Sequence, residues 1–443
     1  MPSENGHQTE KKEVESNDYN PFEHRKIEKP NSDIRTLANL VKASLGSGLL
    51  AIPLAFSNSG WGLGIIGTTV IAFVCTHSVQ IFVEISQACC KVERKPILSY
   101  SETCEAAFAN GPKHARRFAS AARIFSEFSL LCTYLGVACI FTVLIADSIK
   151  QILDTYAPAY ILAVEYYCLI LLVPLCMLVQ IRHLKFLAPL SLIANVLLII
   201  TFFICLYYIL KDGFTISDKK VVGDLTRFPA FLSTVIFAME GIGVVMPIAN
   251  QMKKPQHFLG CPGVLSIAMT LVAVLYGTLG ALGYFKYGDV LRGSITLNLP
   301  IDDWPAICAK CFIAVSIFFT YPLHYYVVVD LLTKYLQPRV KENYRSIFQV
   351  VLRSLIVIFC AGIAVALPFL EQIINIVGSL FYSLLGLIIP AIIHTVFHFQ
   401  NLGRFYWILW KNILIVLFGT ACLISGCTVT VFDIIDKLNS KTE

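Results

Sequence analysis

Residues 42–53 read KASLGSGLLAIP, an apolar run that a Gly-Ser-Gly triplet interrupts and a proline follows. Residues 237–247 read FAMEGIGVVMP and repeat this plan, with Gly-Ile-Gly at the break and a proline after it. Glycine leaves the backbone free to depart from helical angles, and proline removes a backbone donor. Both stretches lie inside longer hydrophobic runs, so the sequence predicts two helices that are broken in mid-span.

The composition indicates a membrane protein. Of 443 residues, 56% are hydrophobic and 14% are charged, whereas a soluble domain has about 25% charged residues. The apolar residues form about eleven runs of roughly 18 to 27 residues, each long enough to cross a bilayer as a helix. We therefore expect an all-α membrane protein whose partner is the lipid bilayer, with no room for a soluble catalytic domain.

The two breaks also predict the domain organisation. They lie five predicted spans apart, and because five is odd the second set of spans enters the membrane with the opposite orientation, as an inverted repeat requires. We expect a disordered cytoplasmic tail (1–35), a first repeat (36–210), a second repeat (211–397), and an eleventh span with a short extracytoplasmic C-terminus (398–443). Lys and Arg are concentrated in alternate loops, which favours a cytoplasmic N-terminus.

A helix broken in mid-membrane exposes backbone groups that need partners. A free amino acid meets that need, since its carboxylate accepts from N–H groups at one half-helix end and its ammonium donates to carbonyls at the other. The alternative is close helix packing through small residues. The predicted substrate-binding residues are Ser44, Gly46, Ser47, Gly48, Phe237, Glu240, Gly241 and Gly243.

Three ionisable residues inside the spans are candidates for proton coupling. Glu240 precedes the second break and either takes up a proton or holds the unwound segment. Lys42 either supplies a fixed positive charge beside the first break or extends its ammonium to the membrane surface. His77 lies in the middle of the second span, either as a proton relay or as a neutral core histidine.

Enzymatic and nucleic-acid-binding functions have no support in the sequence. We find no metal-ligand cluster, nucleophile elbow or phosphate-binding loop, so we expect no enzyme activity, no metal and no cofactor beyond a proton as coupling ion. The net charge of +6 lies mostly in loops of one parity and forms no basic stripe.

Four segments resemble signatures of the proton-coupled amino acid transporter family, in the amino acid/auxin permease group of the amino acid-polyamine-organocation superfamily. They are KASLGSGLLAIP (42–53), FAMEGIGVVMP (237–247), GSITLNLP (293–300) and FFTYP (318–322). The resemblance runs from about residue 19 to about residue 433. It implies five-plus-five inverted repeats like those of the bacterial leucine transporter with an eleventh helix. It also implies proton symport of small neutral amino acids such as alanine, glycine or proline, at the plasma membrane or from lysosomes and endosomes.

Two features depart from that family pattern. Asn39 stands where relatives have a histidine linked to proton coupling, whereas His77 matches a second-span histidine of the family. The loops at 148–160 and 288–304 contain no cysteine, so the outer-loop disulfide of relatives is not expected. Sodium-coupled or uncoupled transport by the same fold stays open, as does an amino acid sensor with a signalling partner on the N-terminal tail.

Overall fold

The computed structural model describes the parts of the chain at residues 19–25, 30–44, 46–157, 161–181, 184–211, 213–239, 242–260 and 262–442. Within these parts the protein is helical, and the β pairing found is an isolated bridge between Asn31 and Met252.

The helices of the first half form the first five predicted spans and the loops between them. They are α1 (Asp33–Ser44), α2 (Ser47–Ser59), α3 (Trp61–Val92), α4 (Tyr100–Ala109), α5 (Lys113–Arg116), α6 (Ala119–Tyr156), α7 (Val164–Leu178) and α8 (Leu184–Lys211).

The helices of the second half occupy the remaining predicted spans. They are α9 (Phe228–Met239), α10 (Ile242–Asn250), α11 (Val264–Tyr287), α12 (Trp304–Leu336), α13 (Arg345–Ala366), α14 (Leu370–Ile376), α15 (Ile389–Phe397) and α16 (Trp407–Thr442). Between α14 and α15 the chain continues as π-helix over Val377–Tyr382 and Leu384–Ile388.

The predicted all-helical membrane fold is confirmed, but length alone supports fewer spans than the predicted eleven. Among the described residues, eight helices are long and apolar enough to cross a bilayer, and the bent pair α1–α2 makes a ninth. The other two predicted spans are divided or short. The sixth is broken into α9 and α10, and α7 has 15 residues, or about 22 Å of helix.

The first break lies where the sequence predicts it. Helix α1 ends at Ser44, α2 begins at Ser47, and their axes differ by 54°. At the second break α9 ends at Met239 and α10 begins at Ile242. Glu240 and Gly241 lie outside the described residues.

Equivalent spans of the two predicted repeats pack against each other. Helix α2 contacts α9, α3 contacts α11, α6 contacts α12, and α7 contacts α13. Pairs separated by five spans meet around a common centre in this way when two repeats are related by a two-fold axis. The inverted repeat itself stays a prediction.

The long helix α6 fixes positions along the bundle. Near its start the buried carboxylate of Glu127 accepts hydrogen bonds from Lys334 at 2.7 Å and from Tyr335, both at the end of α12. Its other end reaches Gln151, whose Nε2 donates to the carbonyl of Leu297 at 3.1 Å. The middle of α6, at Val137 and Phe141, lies beside the two breaks.

The N-terminal segment contacts the body of the protein where the structure describes it. Arg25 donates from Nε to the carbonyl of Pro96 at 3.0 Å, and the backbone of Asn31 pairs with residues Gln251 and Lys253. Residues 1–18 of the predicted tail lie outside the described residues, so the proposed binding of a signalling partner there stays a prediction.

Candidate functional site

A cavity of about 310 Å³ lies between the two broken spans. Its lining includes four residues that the sequence predicts for the substrate site: Ser44, Gly46, Gly48 and Phe237. Helices α6, α8 and α12 and the π-helical segment complete the wall. Both breaks therefore border one cavity.

The first break presents the start of a helix to this cavity. Helix α2 begins at Ser47 after Gly46, and no side chain caps it. The first N–H groups of a helix have no acceptor within it, and they carry the positive end of the helix dipole. A Cβ atom on Gly46 would meet nothing closer than the Ala43 carbonyl oxygen at 3.9 Å. A larger side chain at Gly46 has room to enter the cavity.

The carbonyl ends of α1 and α9 share one donor. The buried hydroxyl of Tyr276, on α11, donates to the carbonyl of Ser44 and lies 3.0 Å from the carbonyl of Ala238. A hydroxyl has one proton to donate. Tyr276 therefore ties the two half-helices together while it leaves part of their acceptor capacity unused.

Gly48 has a packing role that the sequence leaves open. A Cβ atom at this position would lie 2.7 Å from the Cα atom of Ala238. The backbones of α2 and α9 are therefore in direct contact, so Gly48 combines the close packing of the alternative interpretation with a place in the cavity wall.

Further polar side chains on α8 and α12 line the cavity, and the sequence analysis missed them. Asn195 donates from Nδ2 to the carbonyl of Ser191, which leaves its Oδ1 as an acceptor. Ser316 donates to the carbonyl of Ala194 at 2.6 Å, and Thr320 donates to the carbonyl of Ser316 at 2.8 Å. A polar residue within an apolar run is the signal that could have identified them.

His324 is the missed residue with titratable chemistry. It lines the cavity one turn after Thr320 on α12, with its Nδ1 at 3.5 Å from the Thr320 carbonyl oxygen. Its ring packs edge-on against Phe141 and at a tilt against Tyr134, with centroids 5.2 and 6.0 Å apart. The sequence signal is its position just after FFTYP (318–322).

The other predicted site residues lie in different places. Lys42 is exposed and lines the cavity. His77 lies instead in a groove between α3 and α11, stacked on Phe73. Gly243 faces the hydroxyl of Tyr134, which would lie 2.3 Å from an added Cβ atom. The side chains of Ser47 and of Glu240 lie outside the described residues.

The chemistry of the cavity suits a small zwitterion. Among the described residues that line the cavity, Lys42 and His324 are the acidic or basic ones. The others contribute hydroxyl groups, amide groups, backbone atoms and apolar side chains. A helix start and a lysine attract a carboxylate, while free carbonyl and amide oxygens accept from an ammonium. The described part of the chain contains no cluster of His, Cys, Asp and Glu able to hold a metal ion.

Known proteins with this sequence pattern are transporters. A family model described as transmembrane amino acid transporter protein matches residues 29–432. The proton-coupled amino acid transporter-like protein pathetic of Drosophila melanogaster is 38% identical over 420 residues, 95% of this chain and 88% of that protein. The amino acid transporter AVT3C of Arabidopsis thaliana is 23% identical over 415 residues, 89% of each chain.

A solved structure has the same fold. The inward facing conformation of Mhp1 aligns with a TM-score of 0.54 at 15% identity, covering 94% of this chain and 92% of that chain. The fold is therefore that of the leucine transporter, as the sequence predicts. From the family model and the Drosophila relative, the chain is a transporter and not an enzyme, and it belongs to the transmembrane amino acid transporter family.

Proposed function

We propose that this chain is a symporter that carries small neutral amino acids together with protons by alternating access. The observation that carries the proposal is the cavity that both broken spans border. Its volume of about 310 Å³ lies at the low end of the range of ligand pockets, about 300 to 1,000 Å³. Small substrates of the alanine, glycine and proline class fit such a space.

The two ends of the substrate would bind to different groups. The carboxylate would accept from the first N–H groups of α2, at Ser47 and Gly48, with Lys42 adding positive charge. The ammonium would donate to the carbonyl end of α9 near Phe237 and to Oδ1 of Asn195. Gly46 keeps the space between these groups open. Glu240, Gly241 and Gly243 remain proposed parts of the second break.

The proton that is transported with the substrate would bind in the same cavity, on His324. Glu240, at the second break, is the alternative proton-binding residue. His324 lines the substrate cavity, whereas His77 lines a separate groove between α3 and α11. A group that binds a proton beside the substrate can couple the two, because each then changes the affinity for the other. The Drosophila relative, which is named as proton-coupled, supports this coupling.

The orientation of the protein in the membrane is inferred from the positive charges of its loops and from what lies at each end of α6. The N-terminal segment contacts Pro96, in the Lys- and Arg-rich loop between α3 and α6, whereas Lys437 lies 3.9 Å from Glu371 near the opposite end. Positive loops face the cytoplasm. We therefore place the N-terminus in the cytoplasm and the C-terminus outside it, in the plasma membrane or a lysosomal or endosomal membrane.

The test fills the cavity without disturbing the fold. Gly46→Val should abolish uptake of labelled alanine while leaving the amount of folded protein in the membrane unchanged, because the valine side chain enters open space. Gly362→Val is the matched control, since Gly362 lies on α13 away from the cavity and also has open space around its Cα atom. Normal uptake by the Gly46 variant would contradict the site.

A further inference from the structure

A second polar pocket, of about 420 Å³, lies at the end of the bundle that α6 reaches after the central cavity. It is formed by the last turns of α6, the loop after α11 and the start of α14. Its polar residues include Asp147, Gln151, Asp154, Arg292, Glu371 and Gln372. We refer to it below as the end pocket.

The end pocket is separate from the central cavity but close to it. Phe141 lines the cavity and Gln151 lines the end pocket, and ten residues of helix α6 between them span about 15 Å. The two spaces share no lining residue. A Cβ atom on Gly283 of α11 would lie 2.7 Å from Pro53 and 3.3 Å from Ile295.

Three buried acceptor oxygens in the end pocket have no hydrogen-bond partner among the described residues. They are Oε1 of Gln151, Oδ1 of Asp154 and Oε1 of Gln372. Gln372 is 2% exposed, and a buried acceptor without a donor costs about 1 to 3 kcal/mol. Three such atoms on one pocket need donors that the described residues do not supply.

Two of these side chains, Gln151 and Asp154, are held in place by their other contacts. Gln151 donates through Nε2 to the Leu297 carbonyl at 3.1 Å, and a carbonyl can only accept, so Oε1 is the unpaired end of the amide. The other carboxylate oxygen of Asp154, Oδ2, is bound by Lys150. Oε1 of Gln151 and Oδ1 of Asp154 are therefore fixed in the end pocket by the partners of the other polar atoms of their side chains.

The charges of the end pocket leave one unpaired group of each sign. Lys150 pairs with Asp154, and Lys437 lies 3.9 Å from Glu371. Of the described lining, this leaves Asp147 and the exposed Arg292 without an ion pair within 4.0 Å. A guanidinium binds a carboxylate through two parallel hydrogen bonds, and a carboxylate with amide oxygens suits an ammonium.

We propose that the end pocket is a second binding site for a zwitterionic α-amino acid, occupied before the substrate reaches the central cavity. Arg292 holds the carboxylate, and Gln372, Gln151 and the carboxylates of α6 accept from the ammonium. The site rests on the proposed function, since an amino acid transporter provides the reason for a zwitterion to enter here. It accounts for both the unpaired acceptors and the unpaired charges.

The test counts binding sites on the purified full-length protein in nanodiscs, with labelled alanine as the probe. The wild-type protein should bind two alanines per chain, Gly46→Val one, and Arg292→Gln one. The double variant Gly46→Val with Arg292→Gln should bind none. Arg292 is exposed, so its replacement leaves the packed core intact. Arg339→Gln, an exposed arginine in the loop after α12, is the matched control and should bind two.

Kinetics provide an independent readout of the end pocket. Arg292→Gln and Gln372→Leu should each raise KM for alanine uptake at least tenfold with little change in the maximum rate, whereas Gln372→Glu, which keeps an acceptor, should change KM less. One alanine per wild-type chain and unchanged KM in both variants would overturn the second site but leave the transporter intact. Absence of both alanine uptake and binding in the wild type would instead overturn the proposed function. Binding of sodium ions that alanine does not displace would assign the pocket to a metal cation and overturn the proposal.

Discussion

The backbones of Gly48 and Ala238 touch, since a Cβ atom on the glycine would lie 2.7 Å from the Cα atom of the alanine. The two interrupted spans therefore meet at their breaks, with no side chain between them. Backbone contact fixes the distance between the helix start that would receive a carboxylate and the carbonyl end that would receive an ammonium.

This contact predicts different effects for two neighbouring glycines. Gly48→Ala should destabilise the protein by about 1 to 3 kcal/mol, because the added methyl overpacks a closed contact. Gly46→Ala should leave stability unchanged, because its Cβ enters open space. Thermal unfolding of the two purified variants checks the difference. Equal stability would mean that the backbones do not meet at Gly48.

Tyr276 should stabilise the pair of breaks through its hydroxyl. Tyr276→Phe removes the donor that serves the carbonyls of Ser44 and Ala238, so stability should fall by about 1 to 3 kcal/mol. Tyr284→Phe, on the same helix, is the control, because the Tyr284 hydroxyl contacts Asp289 at 3.5 Å and the backbone of Lys220 and does not reach either break. A larger loss in the Tyr284 variant would show that the breaks do not depend on the shared donor.

His324 should determine the response of transport to pH. His324→Gln keeps a polar side chain beside Phe141 but cannot bind a proton, so acid should no longer stimulate uptake. His77→Gln should retain acid stimulation, since His77 lies outside the substrate cavity. Uptake measured across a pH series checks both variants. If only the His77 variant lost acid stimulation, His77 and not His324 would be the residue that couples transport to protons.

The loop helix α4 should lose stability in acid. Burial alone would raise the pKa of Glu102, but hydrogen bonds from the backbone N–H and hydroxyl of Ser99, together with Arg123 and Lys95, bring the pKa below its ordinary value. A lowered pKa contributes stability that is complete above the unfolded pKa and is lost as pH falls through the folded pKa.

Amide exchange over residues 100–109, corrected for intrinsic rates, should therefore become faster as pH falls below about 4.3. Glu102→Gln cannot ionise, so its protection should be lower at neutral pH and should not change with pH. A wild-type protein whose protection stays constant in acid would show that the capping interaction of Ser99 and Glu102 adds no stability.

The sequence predicts the breaks well because their causes are local. Glycines followed by a proline interrupt a helix wherever they occur, and Ser44, Gly46 and Gly48 do border the cavity. Tyr276 and His324 could not be placed in this way, because a tyrosine or histidine within an apolar run gives no indication of which neighbour it will meet. Their positions depend on how α11 and α12 pack against the broken spans.

Long-range packing also explains the residues that the sequence placed differently. Gly243 has the local pattern of a substrate contact, yet rotation of α10 brings it against Tyr134 on α6. His77 lies at mid-span but on the side of α3 that faces α11. The end pocket joins segments far apart in the chain, around Gln151, Arg292 and Gln372, and no local motif connects them.

The central claim is that the cavity at the two breaks carries a small neutral amino acid together with a proton. The most direct measurement is uptake of labelled alanine, proline and glycine into cells expressing this chain, at outside pH values of 5.5 and 7.5, with and without a protonophore and with choline in place of sodium. We predict saturable uptake that acid stimulates, that the protonophore abolishes and that survives removal of sodium. Saturable uptake that is indifferent to pH and protonophore, or that requires sodium, would contradict proton coupling.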